Sequence, residues 1–393
     1  MVCYMQVLQI LKQFLYILKL FLYFCIVKRP NNRFETMFIE QIPAEVILFL
    51  MLYGGVALAM LIASIYLCVR RGNAFAPDIT PPVALRRWAA ALFAVGFLGH
   101  IWWFLFYFFS GDIHSVSCLV VTMLDCVGLF TTIAGTLFAM LQDRKRPVWP
   151  IITATIPFAV LMMLNIAYPD GQFIYIAITY AVLIYVFFTI YMVFAVRQYG
   201  RWLRDNYADL EHKEVWMSQM LIIVLLLLIV TYGFDSGDLT IDFLVQFIAL
   251  ALFGLLLWRV ETLPQLESIS KEQRVQQPLT IPSNIEQMLA VHCVETKLYL
   301  QHDLTLQQLA QTVGTNRLYL SRYFSSQGIT YNAYINDLRI NHFISLYREA
   351  AAANQPIVAQ QLASDSGYRS YSTFSLAFKQ RMGQSVTAWM RTA

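Results

Sequence analysis

Charge is scarce in this chain. Only 13% of its 393 residues are charged and 58% are hydrophobic, with a mean hydropathy of +0.56, a balance too apolar for a fold that is soluble throughout. Signatures of catalysis are missing too. No H-E-x-x-H, G-x-S-x-G or Walker pattern occurs, so the sequence offers no motif of a zinc protease, a serine hydrolase or a P-loop enzyme. The six cysteines never fall into a C-x-x-C spacing, and no metal or other cofactor is expected. Cys25, Cys68, Cys118 and Cys126 fall in apolar segments, Cys3 lies near the start and Cys293 in the polar C-terminal part. All are expected as reduced thiols, and Cys118 and Cys126 sit within one expected helix, where they do not bridge.

What the sequence does hold is apolar residues in blocks. Between Val46 and Trp258 the blocks are about twenty residues long, enough to cross roughly 30 Å of hydrocarbon at 1.5 Å per residue. After Pro264 there is none. Seven spans are expected, at residues 46–69, 88–109, 116–141, 149–168, 172–196, 215–234 and 239–258. Three connections, SGDIHS (110–115), PDG (169–171) and DSGD (235–238), contain neither Lys nor Arg. The alternate ones carry Arg70, Arg71, Arg86 and Arg87, then Arg144, Lys145 and Arg146, then Arg197, Arg201, Arg204 and Lys213. The positive-inside rule places this basic set in the cytoplasm. The expected location is therefore the inner, cytoplasmic membrane, with the N-terminus outside and the C-terminus inside.

Residues 1–36 fit this scheme less well. The stretch from Met5 to Val27 is apolar but interrupted by Gln9, Lys12, Gln13 and Lys19, and if it crossed, Lys28, Arg29 and Arg33 would face outward against the charge rule. It also lacks the basic start and small-residue cleavage site of a signal peptide. Two readings stay open: an amphipathic helix on the membrane surface, or upstream sequence that is not translated, with Met37 as the start. The second is favoured, because it leaves a short outer N-terminus with Glu40 and Glu45 and no basic residue.

Residues 260–283, with Pro264, Pro278 and Pro282 among polar neighbours, read as a linker. From residue 284 helical periodicity is clear, starting with an expected helix over 285–300. Next comes LTLQQLAQTVGTNRLYLSRYF (304–324), where Leu306, Leu309, Ala310 and Val313 share one face, Gly314 permits a left-handed turn and Asn316 can cap the following helix. Leu320 and Phe324 would anchor that second helix. After an expected long helix from Tyr331 to Ala352, the pattern returns in PIVAQQLASDSGYRSYSTFSLAFKQRMG (356–383), with a helix starting at Pro356, a turn at Gly367 and anchors Phe374 and Phe378. A helix-turn-helix places its second helix in the major groove. Two in tandem are a much stronger signal than one.

Over residues 284–393 the sequence resembles the AraC-type transcription regulators. The resemblance rests on LTLQQLAQTVGTN with LSRYF, on YINDLRI (334–340) and on IVAQQLASDSGYRSYSTFSLAFKQRMGQSVTAWMR. It implies two helix-turn-helix units joined by one long helix, both reading adjacent turns of one major-groove side. By family position, base-edge candidates are Leu318, Ser321 and Arg322 in the first unit and Tyr371, Ser372 and Thr373 in the second; Arg317, Arg369, Lys379 and Arg381 are phosphate candidates, or else a solvated helix face. Three positions depart from the pattern: Leu376 replaces a usual basic residue, Val386 a usual proline, and SSQG (325–328) is about one residue short. Leu376 weakens base reading by the second unit. With seven arginines and two lysines against six acids, residues 284–393 carry about +3, a modest basic face that points to dimerisation or to clustering in the membrane.

Polar residues within the spans are functional candidates by default. His100 and Asp125 lie at one expected depth, roughly 15 Å below the outer surface, and are expected to pair. With Trp102, Trp103 and Tyr107 they form a candidate site for a small-molecule or proton signal, against the plainer reading of a structural hydrogen bond between helices. Asn165, Asp235, Asp238 and Asp242, near the outer rim, either line a polar ligand site or end helices.

The expected fold is thus all-α, a seven-helix transmembrane bundle followed by a cytoplasmic helical domain. The expected function is that of a membrane-tethered regulator, not an enzyme, with double-stranded DNA, the lipid bilayer, RNA polymerase and a second copy of the chain as partners. An intramembrane enzyme or a transporter with a regulatory tail are the alternatives.

Overall fold

The computed structural model describes residues 44–69, 80–109, 116–168, 173–210, 213, 239–266 and 284–392. Of its two compact units, Met1–Leu52 contributes only residues 44–52 to that set, and Tyr53–Ala393 contains the rest. Residues 1–36 and the expected span at 215–234 lie outside the described residues. The first six helices are α1 (Ala44–Val69), α2 (Val83–Phe109), α3 (Val116–Met140), α4 (Trp149–Ala167), α5 (Phe173–Asn206) and α6 (Leu239–Thr262). Each is long and apolar enough to cross a membrane, which makes six such helices among the described residues where the sequence led us to expect seven.

The apolar side chains of these helices point outward as well as inward. Phe187 and Phe194 on α5 are 68% and 64% exposed, a surface that lipid covers and water would not. Inward, small residues let helices approach closely. A Cβ on Gly135 of α3 would run into the Trp88 ring of α2, and one on Gly99 of α2 would stand 2.7 Å from Asp125 Oδ1 of α3.

Helix α5 departs from its expected end at residue 196. Its 34 residues measure about 51 Å, roughly 20 Å beyond the hydrocarbon thickness. The extension is held by a buried row at helical spacing, Val196, Tyr199, Leu203 and Asn206, so its final turns stand clear of lipid as a packed element. Helix α6 also runs past its expected end to Thr262, and the next residues are fastened to the bundle. Gln142 donates to the Pro264 carbonyl (3.0 Å) and accepts from the Leu266 amide (2.9 Å), while the Gln265 amide bonds the Thr80 carbonyl (2.9 Å).

The C-terminal helices are α7 (Ile285–Leu289), α8 (Leu306–Val313), α9 (Arg317–Ser326), α10 (Tyr331–Ala352), α11 (Ala359–Asp365), α12 (Tyr371–Met382) and α13 (Val386–Thr392). The single helix expected over 285–300 is instead broken. Helix α7 widens into a π turn at Ala290–Glu295, Lys297 takes a positive φ of 54°, and a 3-10 turn follows at Leu298–Leu300. Helix α11 starts at Ala359 rather than at Pro356, because Val358 stays extended. Two apolar cores result, and α10 serves both. Tyr331 and Ile335 close the core around Leu309, Leu320 and Phe324; Ile340, Phe343 and Tyr347 close the one around Phe374, Phe378 and Trp389.

Candidate nucleic-acid interface

The first helix pair, α8 and α9, is fixed by its ends. Thr305 caps α8 through a reciprocal box with Gln308, Gly314 ends it at a φ of 77°, and Asn316 caps α9 by accepting from the Tyr319 amide at 3.0 Å. Such caps each contribute about 1 kcal/mol. Because Leu320 and Phe324 are buried, the opposite side of α9 faces outward. There Leu318 and Arg322, four residues apart, are exposed, with half-buried Ser321 beside them.

The second pair, α11 and α12, repeats this plan. Gly367 makes the turn at a φ of 88°, and Ser370 caps α12 by accepting from the Thr373 amide. With Phe374 and Phe378 fully buried, Ser372, Leu376 and Lys379 are exposed. Tyr371 is half-buried against Phe374, and the Thr373 hydroxyl bonds the Ser370 cap, so both also serve the fold. Leu376, absent from the base-edge set expected from sequence, is 52% exposed and stands six residues after its cap, as Arg322 does after Asn316.

Three of the four phosphate candidates hold protein partners. Arg369 meets Asp303 Oδ2 (3.2 Å) and Arg381 meets Asp337 (3.0 Å), both exposed pairs of the weak kind. Arg317 is half-buried, its Nε 2.7 Å from Asn206 Oδ1 at the end of α5. Burial lowers its pKa below the usual arginine value, opposed by Tyr207 and Asp205. Lys379 is exposed.

Several residues that join the two pairs were invisible to sequence reasoning. Arg339 on α10 is 1% exposed; its Nε donates to the Tyr299 carbonyl and its Nη2 to that of Gln301, each at 2.7 Å, and its guanidinium lies 5.5 Å from the Tyr368 ring. His302 Nδ1 lies 3.0 Å from the Gly367 carbonyl. A Cβ at Gly367 would meet Leu300 backbone atoms at 2.8 Å, so this turn closes against the other half of the domain. The one available signal for Arg339 was its position: a charge at core spacing between Ile335 and Phe343.

Within the bundle the expected pairing of His100 with Asp125 gives way to separate partners. His100 Nε2 lies 3.1 Å from Gln246 Oε1 of α6, with Nδ1 2.8 Å from the Gly96 carbonyl, and Asp125 Oδ2 accepts from Trp103 Nε1 at 3.2 Å. Gln246, buried on α6, outcompetes Asp125 for the imidazole. Asp125 Oδ1 and Trp102 Nε1 are buried without a hydrogen-bond partner among the described residues. The Tyr107 side chain, Asp235 and Asp238 lie outside the described residues. Asn165 is buried and Asp242 half-buried. Cys68, Cys126 and Cys293 are free thiols.

Comparison with known proteins adds one match. Residues 309–392 fit a family model described as a helix-turn-helix domain. No curated protein and no solved structure matches the chain. The matched region begins within α8, includes both helix pairs and runs into α13, and it is of the kind that DNA-binding transcription regulators carry. The C-terminal part of this chain is an AraC-type helix-turn-helix domain, preceded among the described residues by six helices of membrane-spanning length.

Proposed function

We propose that the chain is a membrane-tethered, sequence-specific transcription regulator whose bundle receives a signal and changes how its C-terminal domain binds DNA. The observation that carries this reading is the outward row of exposed Leu318 and Arg322 with half-buried Ser321 between them, on a capped, rigidly anchored α9 inside the matched domain. Arg322 is suited to bond guanine O6 and N7 together, Leu318 to meet a thymine methyl, and the second pair to extend the site as a second helix-turn-helix unit. A net charge of only about +3 over residues 284–393 favours two copies on one site, doubling the phosphate contacts.

The position of the basic residues supports the orientation proposed. Arg86 bonds the Leu67 carbonyl and Arg146 makes a two-pronged pair with Asp143, next to the same Gln142 that holds residues 264–266. Arg86, Arg146 and the start of the linker thus share one end of the bundle, which supports a cytoplasmic C-terminal domain. The polar group of His100, Gln246, Asp125, Trp102 and Trp103 is the site we assign to the signal, a small hydrogen-bonding molecule or a proton.

The test is selection of binding sequences from a random duplex pool by the full chain held in lipid nanodiscs. A recurrent motif is expected, and Arg322→Ala should blur one position of it. Recovery of no motif contradicts sequence-specific binding.

A further inference from the structure

The C-terminal domain is docked on the segment that follows α5. Tyr207 and Thr305 form an antiparallel bridge, and the Ala208 amide donates to the Leu304 carbonyl at 3.1 Å. Asn332 of α10 donates its side-chain amide to the carbonyls of Ala208 (2.7 Å) and Tyr207 (3.3 Å). Ala208 is 2% exposed and counts among the residues of the first core. Lys213, nearly buried over the Tyr207 ring, meets Asp303 Oδ1 at 3.2 Å, on the carboxylate whose other oxygen holds Arg369. Asn206, bonded to the Trp202 carbonyl, presents Oδ1 to Arg317.

We propose that residues 206–210, together with Lys213, are a latch that competes with DNA backbone for this face of the domain. Arg317 is the first residue of α9, where a phosphate would approach the helix N-terminus, and the latch supplies an oxygen at 2.7 Å in the phosphate's place. The same segment engages Asp303, hence Arg369, so two of the four phosphate candidates are tied to it directly or through one carboxylate. The latch grows from the projecting end of α5, so a shift of that helix is transmitted to Arg317 without passing through the linker. Leu318 and Arg322 stay exposed in the docked domain, which leaves base reading available while its backbone anchor is withheld. A domain that is docked nine-tenths of the time binds DNA about tenfold more weakly than a free one.

This inference rests on the DNA-binding reading, and the experiment separates the two. The full chain in nanodiscs is titrated with a random-sequence duplex in two forms. In Tyr207→Cys with Thr305→Cys, diamide joins the bridged positions and locks the dock, and a reductant reopens it. In Ala208→Arg the side chain no longer fits the first core, and the dock is lost. The latch predicts more than about tenfold loss of binding on oxidation, recovery on reduction, and about tenfold tighter binding for Ala208→Arg than for the natural chain. Oxidant should leave the natural chain's binding unchanged. Equal binding by the locked and reopened forms overturns the latch while leaving DNA binding intact. Absence of binding in every form overturns both.

Discussion

Arg339 places its guanidinium 5.5 Å from the ring centre of Tyr368 while its Nε bonds the Tyr299 carbonyl at 2.7 Å, so one buried side chain holds both helix pairs. Arg339→Met keeps much of the volume but leaves two buried carbonyls without their donor, at about 1–3 kcal/mol each. It should lower the denaturation midpoint and split one unfolding transition of the domain into two. Gly367→Ala strains the same junction, with a positive φ and backbone at 2.8 Å, and should cost more than about 1 kcal/mol in the same measurement.

Arg322→Ala should weaken binding by about 1–3 kcal/mol and relax preference at a single base pair. Titration against duplexes substituted at each position of the selected motif checks this. Loss spread evenly over all positions would instead assign Arg322 to phosphate.

Leu376→Arg restores a cation at the register that Arg322 occupies in the first pair. The site is exposed, so stability should change by no more than about 0.5 kcal/mol. Binding should tighten, and if the new group meets a phosphate, the salt slope should steepen by about 0.9.

Cys293 is fully buried, and burial pushes its thiol up to about 11. At pH 8 roughly one part in a thousand is thiolate. A maleimide should therefore fail to label Cys293 in the folded chain and label it once denaturant is added; rapid labelling without denaturant would contradict the packed first core.

Asp125→Asn keeps the Trp103 bond geometry but removes an ionisable group inside the bundle. Membrane insertion should persist while the response to signal changes, read as reporter output across pH and candidate small molecules. A response and a stability both equal to those of the natural chain would reduce Asp125 to a spacer.

The C-terminal domain was legible in sequence wherever a rule is local. Gly314, Asn316, Leu320 and Phe324, and their counterparts Gly367, Phe374 and Phe378, occupy the positions their spacing implies, because caps and helical faces are set by near neighbours. Contacts between distant segments were not legible. Nothing in the string Asn206-Tyr207-Ala208 announces that it will pair with residues 304 and 305, nearly a hundred positions on. His100 likewise gave depth but not partner: the 3.6-residue period fixes height along a helix, while rotation among neighbours decided for Gln246 over Asp125. Helix α5 outran its expected end because hydropathy marks where lipid stops, whereas the helix ends where its packed face does.

The most direct measurement is genomic occupancy of the tagged chain in intact cells, with the chain retained in the membrane and Arg322→Ala run beside it. Discrete sites sharing one motif, weakened or lost in Arg322→Ala, are the predicted result. Occupancy without discrete sites, or sites indifferent to Arg322, would contradict a tethered domain that reads DNA sequence through α9.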